Sequence, residues 1–194
     1  MRKYAKDYEI GTERDKKGRE KKVSVYVGKF FDVSLNEVEL KRFRRISMLL
    51  LGLIFLAQIA GGFVSNLGMY AFFVALPYVG TFLPIYFLAM SVFRIPRNKW
   101  NYRREEVELS FKRIKTHSMV LLILASLGLI GEVVFLIWFA NGSHGREWIY
   151  LGLEVLLVAL SVIWVYIQRD IKIIPIADEA VRVVEEVDEE GGEG

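Results

Sequence analysis

The sequence predicts an all-α membrane protein, a four-helix transmembrane bundle with a small N-terminal cytoplasmic β-hairpin, and three observations carry that prediction. Four apolar runs, Ile46 to Val64, Met69 to Phe93, Met119 to Ala140 and Trp148 to Ile167, hold 19, 25, 22 and 20 residues. At about 1.5 Å per residue each can cross roughly 30 Å of hydrocarbon. All but one of the 26 Lys and Arg residues fall before Ile46, between Arg94 and Thr116, or after Ile167. That asymmetry follows the positive-inside rule and puts both termini in the cytoplasm, with the plasma membrane as the expected location. Finally, Val23, Val25 and Val27 alternate with Ser24, Tyr26 and Gly28, the period of a strand.

These patterns divide the chain into a basic hairpin segment at 1–33, a four-pass bundle at 34–167 and a tail at 168–194. The helices are expected at about 34–64, 69–93, 103–140 and 148–168, with a cytoplasmic loop at 94–116. A charged 45-residue segment precedes the first apolar run, which at 19 residues is too long for a signal-peptide core and is expected to stay as a helix.

In the hairpin, Lys16-Lys17-Gly18-Arg19 supplies the turn, and Gly18 can take the positive φ that a short loop needs. A lone hairpin is marginal in water, so it should rest on the bundle, on headgroups or on a partner. The first helix has an N-terminal signature in Ser34 and Glu37, a capping box, with Val33 and Val38 as a hydrophobic staple. Its Lys41, Arg42, Arg44 and Arg45 then fall at headgroup level, where they are candidate contacts for anionic lipid. Pro77 and Pro84 in the second run free the carbonyls of Phe73 and Gly80 and predict a bend. After Pro96, Val107, Phe111, Ile114 and Leu121 repeat at helical spacing, so the third helix should begin near Arg103 and project into the cytoplasm. Beyond the fourth run, IKIIPI is strand-like up to Pro175. Between Asp178 and Glu193 lie 8 acidic residues and one Arg, a solvated end that shares a compartment with the basic hairpin.

The chain has no cysteine, so disulfides, thiolate metal sites and thiol nucleophiles are excluded. Phosphate-binding loops, dinucleotide fingerprints, zinc-protease and serine-hydrolase motifs are also missing, and neither an enzyme nor a cofactor is expected. His117 and His144 belong to opposite membrane faces and cannot share a metal, while Asn141-Gly142-Ser143 reads as a turn. Aromatic residues among the basic ones of the hairpin suit headgroups better than nucleic acid.

What remains is a set of polar groups inside the apolar runs. Glu132 lies in a 22-residue run with no other charge, and a carboxylate in hydrocarbon marks a functional site by default. By helical rise, Glu132, Glu154, Gln58 and Tyr78 sit about 13, 9, 10 and 15 Å below the outer end. All four helices thus place a polar group in the outer half. Facing each other, Glu132 and Glu154 would share a proton or hold a cation. As structural glue, Glu132 would instead bond to Gln58 or Tyr78 and Glu154 would snorkel to water. The expected function is a non-enzymatic accessory or regulatory subunit that contacts lipids, a membrane or cytoplasmic protein, or a second copy through its cytoplasmic segments. The alternative is a small proton- or cation-coupled carrier or channel.

Overall fold

A computed structural model of the chain describes residues 3–14, 20–98, 101–139 and 145–176. The Lys16–Arg19 turn, the Asn141–Ser143 turn, His144 and the acidic tail lie outside the described residues. Two compact units are present. Among the described residues, one is built from those up to 34, 101–108 and 172–176, the other from 35–98 and those between 109 and 171.

The first unit is made of strands. β1 (Tyr8–Arg14) and β2 (Glu20–Tyr26) pair antiparallel from Tyr8↔Tyr26 to Arg14↔Glu20, the hairpin that the alternating valines predict. A second sheet joins three distant segments in the order β4-β3-β5, namely β3 (Phe30–Val33), β4 (Tyr102–Arg103) and β5 (Ile173–Pro175). Both of its pairings are antiparallel, and Pro175 sits on an edge strand, where a missing N–H costs no ladder bond. Tyr26 ties the unit together. Its hydroxyl donates to the Lys29 carbonyl and accepts from the Arg104 N–H, while its ring packs edge-on against Tyr8 and Phe30. Val33, Tyr102 and Val107 are buried.

The second unit is a helical bundle. α1 (Glu37–Phe63), α2 (Phe72–Phe93), α3 (Arg104–Trp138, whose residues up to Glu108 belong to the first unit) and α4 (Gly145–Gln168) are each long and apolar enough to cross a membrane, and the chain is mostly helical. α2 packs on α3, α3 on α4, α4 on α1 and α1 on α2, so chain order runs around the bundle. In α3 the backbone forms a π-helical stretch over Glu108–Lys112.

The start of α1 differs from the expected one. Asn36 is the N-cap: its side-chain oxygen accepts from the Glu39 N–H at 2.8 Å, and Glu39 accepts from the Asn36 N–H at 2.9 Å. Ser34 is occupied elsewhere, because its N–H donates to the Lys172 carbonyl and its hydroxyl accepts from the Lys172 N–H. The staple fails for a related reason, since Val33 is buried as part of β3 while Val38 is 76% exposed. Capping chemistry selected the right turn, and pairing with a distant strand chose which residue used it.

Three helices bury a regular stripe. On α4 it runs Glu147, Tyr150, Glu154, Leu157, Ser161, Trp164 and Gln168, alternating steps of three and four that hold one helix face. α1 buries Leu40, Phe43, Ser47, Leu50, Ile54, Ala57 and Gly61 on the same rhythm, and α3 brings Ala125, Gly128, Glu132 and Phe135 inward. Small residues let the backbones approach. A methyl group on Gly131 would lie 2.7 Å from the Phe73 carbonyl oxygen, one of the two that the prolines of α2 free from the helix ladder.

Candidate functional site

The buried stripes of α3 and α4 bring two carboxylates into one contact region. Glu132 on α3 is completely buried, and neither of its carboxylate oxygens has a hydrogen-bond partner among the described residues. Glu154 on α4 is 4% exposed, and its Oε1 accepts from the Tyr150 hydroxyl at 2.8 Å while Oε2 has no partner among the described residues. Its carboxylate faces Gly128, where a methyl group would lie 3.3 Å from Oε2. Gly128 is one helical turn before Glu132, so the two acids project from adjacent helices about one turn apart.

The connection between α1 and α2 closes over Glu132. Gly68 lies against the carboxylate, and a methyl group there would collide with Oε2 and approach the Asn66 Oδ1 at 2.9 Å. Asn66 accepts from the Met69 N–H through that oxygen, and its buried Nδ2 makes no well-aligned hydrogen bond among the described residues. A third acid, Glu147, is also buried and accepts from the Leu67 N–H at 3.5 Å, a bond at the limit of length. The Asn66 side chain lies within reach of the Glu132 carboxylate, and Glu147 and Glu154 are acids near it.

Gln58 and Tyr78 behave differently from Glu132 and Glu154. The Gln58 amide donates to the Tyr78 carbonyl and the Tyr78 hydroxyl donates to the Gln58 carbonyl, each at 2.9 Å, a reciprocal clamp between α1 and α2. Neither reaches Glu132. Their link to the acids is the Tyr150 ring, which packs 6.4 Å from the Tyr78 ring beside Gly61 and carries the hydroxyl that binds Glu154. The four polar groups expected in one layer therefore fall into two pairs joined by a tyrosine.

Three members of the site escaped the sequence reading. Tyr150 and Glu147 lie four and seven residues before Glu154 on its own helix face; that spacing was readable for Tyr150 inside the expected helix, and for Glu147 only had α4 been started before Trp148. Asn66 sits in a short connection with no periodicity, and nothing local signals its role. Among the described residues no group of three His, Asp or Glu side chains converges as a metal site.

At the start of α1, Lys41, Arg44 and Arg45 line a cavity with Met48 and Arg97, whereas Arg42 stands outside it. Comparison with known proteins adds no name to these features: no family model, no curated protein and no solved structure matches the chain.

Proposed function

We propose that the chain is a four-pass membrane protein whose working site is the Glu132–Glu154 pair, and that the pair takes up and releases a proton or small cation in a carrier or channel. The membrane part is supported by the outward faces of the helices. Only 28–33% of each apolar window is buried inside the bundle, and the rest presents side chains such as Leu56, Leu76, Ile137 and Ile163 outward. Soluble monomers rarely expose apolar area on that scale. The basic distribution then supports cytoplasmic termini and a plasma-membrane location.

One observation carries the functional part: Glu132 is fully buried, and neither of its oxygens makes a well-formed hydrogen bond among the described residues, with the Asn66 side chain as its polar neighbour. An ionised carboxylate in that state costs several kcal/mol, so an occupant that neutralises it is favoured. A proton is the simplest occupant. Gln58 and Tyr78 bind each other's backbones and not Glu132, and Glu154 is buried against Gly128, which favours the ion-site reading over Glu132 as glue to Gln58 or Tyr78. In proteoliposomes, Glu132→Gln and Glu154→Gln are each expected to abolish a proton- or cation-driven flux while the protein stays folded. Unchanged flux in both variants contradicts the proposal.

A second reading, the accessory or regulatory subunit, draws on the β4-β3-β5 sheet. Three segments far apart in the chain form one small platform suited to contact a protein partner. It predicts a stoichiometric partner that is retained in mild detergent and lost on deleting residues 1–33. Purification without a partner under every condition counts against it.

A further inference from the structure

The basic residues at the start of α1 flank an open concavity that the carboxylate site does not use. Lys41, Arg44, Arg45 and Met48 stand at i, i+3, i+4 and i+7 and so share one face of α1. With Arg97, which follows the end of α2, they line a cavity of about 310 Å³. The charge in this cavity is poorly balanced. Lys41 lies 3.5 Å from Glu37, but both side chains are more than half exposed, and such a pair contributes little. The Nε of Arg44 is buried and has no hydrogen-bond partner among the described residues. The guanidinium groups of Arg44, Arg45 and Arg97 form no ion pair among the described residues, and a phosphate offers these planar forks several oxygens to share.

The surroundings favour an amphiphile over a free ion. Met48 gives the cavity an apolar wall, and Leu49, Leu53 and Leu56 continue along α1 as exposed apolar surface. A headgroup held by the cations would leave its acyl chains beside that surface. We propose that this cavity binds the phosphate of an anionic phospholipid, with a doubly charged phosphomonoester preferred over a singly charged diester. The inference rests on the membrane-spanning reading of the helices and is independent of the carboxylate pair.

The full chain, purified in mild detergent and stripped of lipid, is offered phosphatidic acid, phosphatidylglycerol, phosphatidylcholine or inorganic phosphate, and retained lipid is counted by native mass spectrometry. Phosphatidic acid is expected to be retained at one per chain, phosphatidylglycerol more weakly, and phosphatidylcholine not at all. Joint Arg44→Gln and Arg97→Gln should weaken retention roughly tenfold or more, since each removes a charge-assisted bond, whereas Arg42→Gln and Glu132→Gln should leave it unchanged. Arg97→Gln alone, outside the helices, reads the same site if the double variant does not fold. Equal retention of phosphatidylcholine, or retention unmoved by either Arg variant, overturns the proposal. Displacement of phosphatidic acid by an equal concentration of inorganic phosphate overturns the lipid in favour of a soluble anion. Flotation of the wild-type chain with phosphatidylcholine vesicles tests the membrane reading separately, so the two failures are told apart.

Discussion

At Glu132 the requirements of folding and of the proposed function diverge. A fully buried carboxylate with two unpartnered oxygens is a poor choice for stability, and a leucine of similar bulk would remove the desolvation cost. Glu132→Leu is therefore expected to raise stability in detergent by about 1–4 kcal/mol while eliminating ion coupling, as read by thermal or denaturant unfolding beside the flux assay. Destabilisation by Glu132→Leu would mark the residue as structural. The residue was legible in the sequence because a single charge stands in a long apolar run. Its neighbours were less so: Asn66 reaches the site through the fold of a short connection, and Glu147 sat just outside the helix expected from Trp148 onward.

The elements show the same division between local and tertiary information. Length and hydropathy marked the four helices, and helical spacing placed the start of α3 near Arg103 against an observed Arg104. The pairing of β3 with β4 and β5 had no local signature, since its partners lie some 70 and 140 residues further along the chain. Ser34 and Asn36 each stand three residues before a Glu, and the bond from Lys172 decided between them. Close helix approach can be tested with glycines. Gly131→Ala puts a methyl group against the Phe73 carbonyl and should destabilise by about 1–3 kcal/mol, whereas Gly52→Ala, with nothing within 4 Å, should stabilise by about 0.5–1 kcal/mol. Equal effects would contradict the α2–α3 contact.

In the sheet unit, Glu108 accepts from Lys3 at 2.5 Å, Arg104 at 3.2 Å and Tyr4 at 3.1 Å. It stands eleven residues before the apolar run that begins at Met119. The Lys3 hydrogen bond first, then those of Arg104 and Tyr4, hold its carboxyl down to about 2, against some burial that pushes the other way. A group depressed in the folded state stabilises it fully above its unfolded value, near 4.5, and this contribution is lost as pH falls from there through about 2. Glu108→Gln should flatten that acid limb, followed by amide hydrogen exchange of β1–β5. An unchanged limb would show that the cluster does not couple to folding. The effect should be modest, because Lys3 and Arg104 are solvated and screened.

For the whole molecule, the apolar outward faces, the segregated basic residues and the buried acids are the three features on which the proposed membrane bundle rests. The sequence carried the first two features directly, as run length and charge placement. Whether the acids met could come only from the packing of α3 on α4, which sets Glu154 against Gly128 one turn from Glu132. The central claim is that this pair exchanges a proton or cation. It is tested most directly by infrared difference spectroscopy of the reconstituted protein across about pH 4 to about pH 9, comparing wild type with Glu132→Gln and Glu154→Gln. The account predicts a carboxyl band, responsive to pH or to added cation, that is lost or shifted in either variant. A spectrum without such a band, or one that both variants leave unchanged, would contradict it.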